Sequence, residues 1–157
     1  MAKEIERKYL IDQRRWESLK PTIQEFEYLR QGYLSLDESK TIRVRVANEC
    51  AFLTIKGKTT GITRLEFEYI IPRVDGILFL DKFAHSELEK VRYRLVHEEK
   101  VWEIDEFLGA NQGLVLAEVE LSNENETVIL PDWVVKEVSH DERYYNTYLS
   151  QNPYSAW

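Results

Sequence analysis

The chain has 157 residues, 43% of them hydrophobic, 12% aromatic and 31% charged, with a formal net charge of −7. That length buries one sizeable core and is short for two, and the acidic balance disfavours nucleic acid and anionic membrane, which are bound through basic surfaces. The single cysteine, Cys50, excludes an intrachain disulfide and a Cys-rich zinc cluster.

No basic stretch followed by an apolar leader opens the chain, and no run of about eighteen apolar residues occurs in it, so no membrane partner and a cytoplasmic location are expected. Residues 1–157 read as a single domain.

In chain order, period-2 patterning predicts strands over 3–10, 28–35, 41–47, 51–57, 62–71, 89–97, 100–107 and 114–121. Turn-forming residues separate most of them, such as Asp37-Glu38-Ser39 and the run from Gly57 to Gly61, which predicts antiparallel hairpins. After the first strand, Asp12 is expected to cap a short helix bearing Trp16, Leu19 and Ile23. After the fifth, Asp75 is expected to cap another with Ile77, Leu80, Phe83 and Ala84. An apolar stretch around Val128 to Val138 is broken by Pro131, and the tail from Asp141 to Gln151 reads as helix packed through Tyr144, Tyr148 and Leu149. The fold class is therefore mainly β with a few helices.

Residues two apart on a strand share a face. Read that way, Glu4, Glu6 and Lys8 lie together, as do Arg43 and Arg45, Arg64, Glu66 and Glu68, Lys90, Arg92 and Arg94, Glu103 and Asp105, and Glu118 and Glu120, with Lys56 beside Thr54. The opposite faces are apolar. An open antiparallel sheet with its charged face in water is the ordinary arrangement, but solvent faces mix Ser, Thr, Asn and Gln with Lys. These rows are nearly all Arg, Lys, Glu and Asp, and they segregate by sign. The pattern points instead to an eight-stranded closed antiparallel barrel whose charged rows line a tunnel, with apolar rows outside beneath the helices. Eight bases (Lys8, Arg43, Arg45, Lys56, Arg64, Lys90, Arg92 and Arg94) and eight acids (Glu4, Glu6, Glu66, Glu68, Glu103, Asp105, Glu118 and Glu120) then cancel, leaving the −7 on the exterior.

Arg and Lys desolvated together call for an anion, and clustered carboxylates for a cation. Arg forks and Lys point charges spread along a tunnel suit a chain of phosphates. Carboxylates without His or Cys are hard donors suited to Mg²⁺ or Mn²⁺. Gly57-Lys58-Thr59 lacks the upstream glycine of a P-loop, and the three histidines form no catalytic motif.

EIERKYL at residues 4–10 resembles the ExExK signature of the CYTH superfamily, the triphosphate tunnel metalloenzymes. RQGYL (30–34), IRVR (42–45), LTIK (53–56), RLEFE (64–68), EKVRYR (89–94), EIDEF (103–107) and AEVEL (117–121) continue the likeness in order across the chain. The resemblance implies an eight-stranded tunnel in which Lys8, Arg43, Arg45, Lys56, Lys90 and Arg92 hold a small-molecule triphosphate, with Arg64 and Arg94 as further candidates. It implies that Glu4, Glu6, Asp105, Glu118 and Glu120 hold Mg²⁺ or Mn²⁺, supported by Glu66, Glu68 and Glu103. Glu4 or Glu6 would activate a water, Lys8 would stabilise charge, and Tyr33 would touch the substrate. Arg143 would approach one tunnel mouth. Among the family's activities the compact chain looks most like the bacterial inorganic triphosphatases. Class IV adenylate cyclase, thiamine-triphosphatase, nucleoside triphosphatase or a non-catalytic polyphosphate-binding module are the alternatives on the same site, and an apolar barrel flank leaves room for a homodimer.

Overall fold

A computed structural model describes residues 3–157. Nine strands form one antiparallel sheet: β1 (Lys3–Ile11), β2 (Glu25–Asp37), β3 (Lys40–Val46), β4 (Ala51–Gly57), β5 (Thr63–Ile71), β6 (Ser86–His97), β7 (Lys100–Phe107), β8 (Val115–Glu120) and β9 (Val134–Glu137). Their order is β5-β4-β3-β2-β6-β7-β8-β1-β9, and β1 also pairs with β5 through Lys3↔Leu65, Glu4↔Arg64 and Ile5↔Thr63. Eight strands thus close on themselves, and no strand of the ring offers a full-length open edge.

The ninth strand was not expected from the sequence. It pairs with β1 at Tyr9↔Glu137 and Leu10↔Lys136, and backbone bonds from Asp12 N–H to the Trp133 carbonyl and from Val138 N–H to the Lys8 carbonyl pin its two ends. Four residues just past Pro131 are too few to show a period.

Helix α1 (Gln13–Leu19) starts as anticipated, with the Asp12 carboxylate accepting from Arg15 N–H at 2.9 Å. Its Trp16 is fully buried, edge-on to Tyr93 with ring centroids 5.0 Å apart, and the indole N–H donates to Glu106 at 2.8 Å. Trp16, Tyr93, Trp102 and Trp133 anchor the larger core, which lies on the outside of the ring. Helix α2 (Arg73–Phe83) begins after Pro72, so Asp75 stands in its first turn instead of capping it. Proline pre-sets the extended entry, and an acid in the first turn still favours the helix N-terminus. The tail is not one helix. A single turn at Glu142–Tyr144 is separated from α3 (Asn146–Gln151) by Tyr145 in extended backbone.

Alternation sends Leu10, Leu88, Phe107 and Leu116 inward one step beyond the charged rows, where they meet Val138 and Leu149 in an apolar cluster. That cluster closes one end of the ring. Among the described residues no helix is long and apolar enough to cross a membrane.

Helix α2 lies close on the sheet because residue 76 is glycine: a Cβ there would stand 2.4 Å from the Ala51 Cβ. Gly76→Ala is therefore expected to destabilise, since overpacking of about 1–3 kcal/mol exceeds the gain in helix propensity of up to about 1 kcal/mol. A lowered urea midpoint checks this, and a raised one would show that α2 lifts off the sheet without loss.

Candidate functional site

The inward faces surround a cavity of about 410 Å³ lined by Glu4, Glu6 and Lys8 of β1, Tyr33 of β2, Arg43 and Arg45 of β3, Lys56 of β4, Arg64, Glu66 and Glu68 of β5, Arg92 and Arg94 of β6, Glu103 of β7 and Glu118 and Glu120 of β8. Every strand of the ring contributes, because the registers bring the charged rows side by side: Glu6↔Glu120, Lys8↔Glu118, Glu103↔Glu118 and Lys56↔Glu66.

Ion pairs run around the wall. Glu4 receives Lys56 at 3.0 Å and Arg64 at 2.9 Å. Burial works against its charge, yet these two cations hold the carboxyl well below the usual carboxylate range. Glu118 faces Lys8 at 3.3 Å and Arg92 at 3.5 Å, and it too is lowered against its burial. Glu6 differs, for among the described residues it forms no ion pair or side-chain hydrogen bond. Burial, then repulsion from Glu118 and Glu4, push its carboxyl up to about 8. Glu66 rises to about 7, mainly through burial.

The bases show the complementary strain. Nε of Arg43 and Nε of Arg45 are buried without a hydrogen-bond partner. Burial, then the nearby Arg43 and Arg92, pull the Arg45 guanidinium down to about 10. Lys56 is lowered by burial and by Arg43. Glu68 reaches Arg43 and Arg45 only at 3.5 and 3.6 Å. Cations this close are under-neutralised by the wall, and a polyanion is the ligand that would satisfy them.

Two expected site residues lie behind the wall. Asp105 and Lys90 are essentially inaccessible and 2.7 Å apart, and they do not line the cavity. Both Asp105 oxygens are occupied, Oδ1 by Arg92 Nε at 2.8 Å and Oδ2 by Arg92 Nη2 at 2.9 Å and Lys90 Nζ. Arg143 does not line the cavity either. It is exposed, pairs with Asp141 at 2.6 Å and lies over the Tyr144 and Trp157 rings. Tyr33 is buried in the lining, and its hydroxyl accepts from Gln31 Nε2 at 3.3 Å.

The tail supplies four lining residues that the sequence reading did not name, Ser139, Tyr145, Asn146 and Thr147, and Thr41, Thr59, Gly61, Ile62 and Val101 line the cavity as well. The Ser139 hydroxyl accepts from Lys8 N–H at 3.0 Å, and Lys8 Nζ donates to the Tyr144 carbonyl at 3.1 Å. The tail thereby grips the very lysine that the ExExK row supplies. The sequence signals of the tail, its packing residues Tyr144, Tyr148 and Leu149 and the Pro153 stop beyond them, do not direct these side chains to the cavity.

The acidic donors are carboxylate oxygens throughout. Among the described residues, no three His, Cys, Asp or Glu side chains converge as a ready metal cage.

The CYTH domain family matches residues 2–145. An inorganic triphosphatase of Acetivibrio thermocellus is 44% identical over 155 residues, covering 98% of this chain and 97% of that protein. An inorganic triphosphatase of Nitrosomonas europaea is 32% identical over 126 residues, 78% of this chain and 83% of that one. A crystal structure of an inorganic triphosphatase superposes with a TM-score of 0.63 at 30% identity, covering 96% of this chain and 95% of that chain.

Proposed function

The chain belongs to the CYTH family, and from that premise we propose that it is an inorganic triphosphatase, a hydrolase that splits tripolyphosphate into diphosphate and phosphate inside its charged ring. The observation that carries this reading is the crowding of Arg43, Arg45 and Arg92 around a cavity in which two guanidinium Nε atoms have no partner. Only a ligand with several anionic oxygens satisfies so many donors together.

Lys8, Arg43, Arg45, Lys56 and Arg92 bind the phosphate chain, with Arg64 and Arg94 toward its edges. The family's triphosphatases depend on a metal ion in general. The donor set here fits Mg²⁺ or Mn²⁺: Glu4, Glu6, Glu118 and Glu120 offer hard oxygens only, and the repulsion that raises Glu6 is the kind a divalent ion relieves. A preformed cage is unnecessary, because Mg²⁺ commonly takes one or two carboxylates and completes its shell with water and substrate phosphates. Bound there, the ion supplies neutralisation of charge on the reacting phosphate oxygens.

The residues of the wall do the rest. Glu6, assisted by Glu4, orients a water and accepts its proton as the water oxygen attacks a terminal phosphorus in line. One P–O bond forms, the bridging P–O bond breaks, and the basic row stabilises the departing diphosphate. Asp105 acts through Arg92, holding its guanidinium in one orientation; Lys90 stabilises Asp105 from behind. The net charge of −7 disfavours a nucleic-acid partner.

The test is phosphate release from tripolyphosphate, ATP and thiamine triphosphate, each with Mg²⁺, Mn²⁺ or EDTA. Metal-dependent release that is fastest from tripolyphosphate is expected. Faster release from either organic triphosphate would move the assignment within the family, and no release from any would sink hydrolysis.

A further inference from the structure

We propose that the outer face of β3, β4 and β5 is a dimer interface on which a second copy of this chain packs sheet against sheet. Pairing sets Ile42 beside Ile55 and Ile55 beside Phe67, and in the next row Val44 beside Leu53 and Leu53 beside Tyr69. Alternation turns all six away from the tunnel, since their neighbours Arg43, Thr54, Glu66 and Glu68 face inward.

Elsewhere much of the outer face of the ring is covered, with Phe26 and Tyr28 of β2 as exposed exceptions. Trp16 and Trp133 lie over the β6–β7–β8–β1 side, and Leu80 of α2 covers Val44, Val46 and Ala51. The cover stops there. Ile55 is 37% exposed, Leu65 40%, Phe67 42% and Tyr69 56%. Scaled by side-chain areas of about 150–250 Å², these four leave roughly 350 Å² of apolar and aromatic surface in one contiguous patch.

That area is about what the core of a standard interface needs, since such an interface buries about 800 Å² per partner with an apolar centre and a polar rim. The occupant follows from charge. The exterior of this chain is acidic, so two copies repel almost everywhere. The outward positions of β4 and β5 carry no charged residue, in a chain that is 31% charged. A twofold arrangement apposes each copy's neutral face to the same face of its partner, the self-complementarity that an isologous contact requires. Two pleated faces then sit about 10 Å apart with their side chains interdigitated.

Sedimentation equilibrium over a concentration series tests this. The wild-type chain is expected at twice its 18.7 kDa, and Phe67→Glu at the mass of one chain with its circular dichroism and tripolyphosphate hydrolysis retained. Tyr69→Lys serves as the second variant should Phe67→Glu fold poorly, and Val96→Glu, at a position 69% exposed on β6, should leave the dimer intact. A wild-type chain that stays monomeric at about 100 μM, or a folded Phe67→Glu or Tyr69→Lys variant that remains dimeric, would overturn the proposal. Neither result bears on the hydrolytic reading, which the activity assay decides alone.

Discussion

Glu6→Gln is expected to lower phosphate release from tripolyphosphate by roughly 10²–10⁴-fold while making the metal-free protein more stable. The two effects share one cause. Glu6 faces Glu118 and Glu4 without a cation of its own, and its carboxyl is pushed from 4.5 up to about 8. In the unfolded chain it loses its proton near pH 4.5, whereas the folded chain keeps it until about pH 8. Folding is therefore progressively disfavoured as pH rises through that window, unaffected below it and carrying the full cost above it. Glutamine never charges, so the variant escapes this cost and loses the anionic oxygen that the proposed reaction uses. Urea midpoints in EDTA at pH 5 and pH 8.5 should fall for the wild type and fall less for Glu6→Gln. Some slope will persist because Glu66, pushed up to about 7, adds a cost of the same sign. A variant that keeps its activity, or one whose midpoint drops with pH as steeply as the wild type, would remove Glu6 from the centre of the site. Stability surrendered at a functional position is a common exchange.

The opening row and its counterparts on later strands were legible because a strand has a period of two, so face membership follows from residue number alone. The closed ring was legible for a chemical reason: charged rows on nearly every strand have no economical place on an open sheet. Depth was not legible. Lys90 and Asp105 share faces with Arg92 and Glu103, and nothing in alternation reveals that they sit behind the wall. Their depth is set by the apolar closure of Leu10, Leu88, Phe107 and Leu116 against Leu149, which depends on where the tail docks. The outward placement of Arg143 depends on the tail as well, since Asp141 and Trp157 hold it on the outside. The tail's path, set by the short ninth strand and by the break at Tyr145, brings Ser139 and Tyr145 to the cavity. No periodicity announces a four-residue strand or a single extended residue between two helical turns.

Asp105→Ala is the variant for which the largest loss of stability is expected, about 3–5 kcal/mol, because it leaves the buried Arg92 and Lys90 without their shared counter-ion. Burial opposes the Asp105 charge, but Arg92 and Lys90 hold its carboxyl far below the ordinary range. Its contribution is therefore complete above the unfolded value near pH 4 and is lost only as pH falls through the lower folded one. Lys90 is the weaker partner: burial, set against Asp105 and helped by Arg92, already brings its ammonium down to about 8. Without Asp105 it has every reason to shed its proton, whereas Arg92 cannot. Arg92 must then lean on Glu103 at 3.1 Å and Glu118 at 3.5 Å, which turns the guanidinium away from its present orientation. Replacing the whole pair by apolar groups of similar volume, Lys90→Met with Asp105→Leu, is expected to recover much of the stability that Asp105→Ala loses, since no buried lysine is then left unpaired. Activity should not return with it, because Arg92 still lacks the carboxylate that orients it. Urea unfolding and tripolyphosphate hydrolysis measured on the same samples separate the two roles. A double variant that regains both would mean that Asp105 serves packing alone, and one that regains neither would mean that the charge itself, beyond its pairing, holds this end of the ring together.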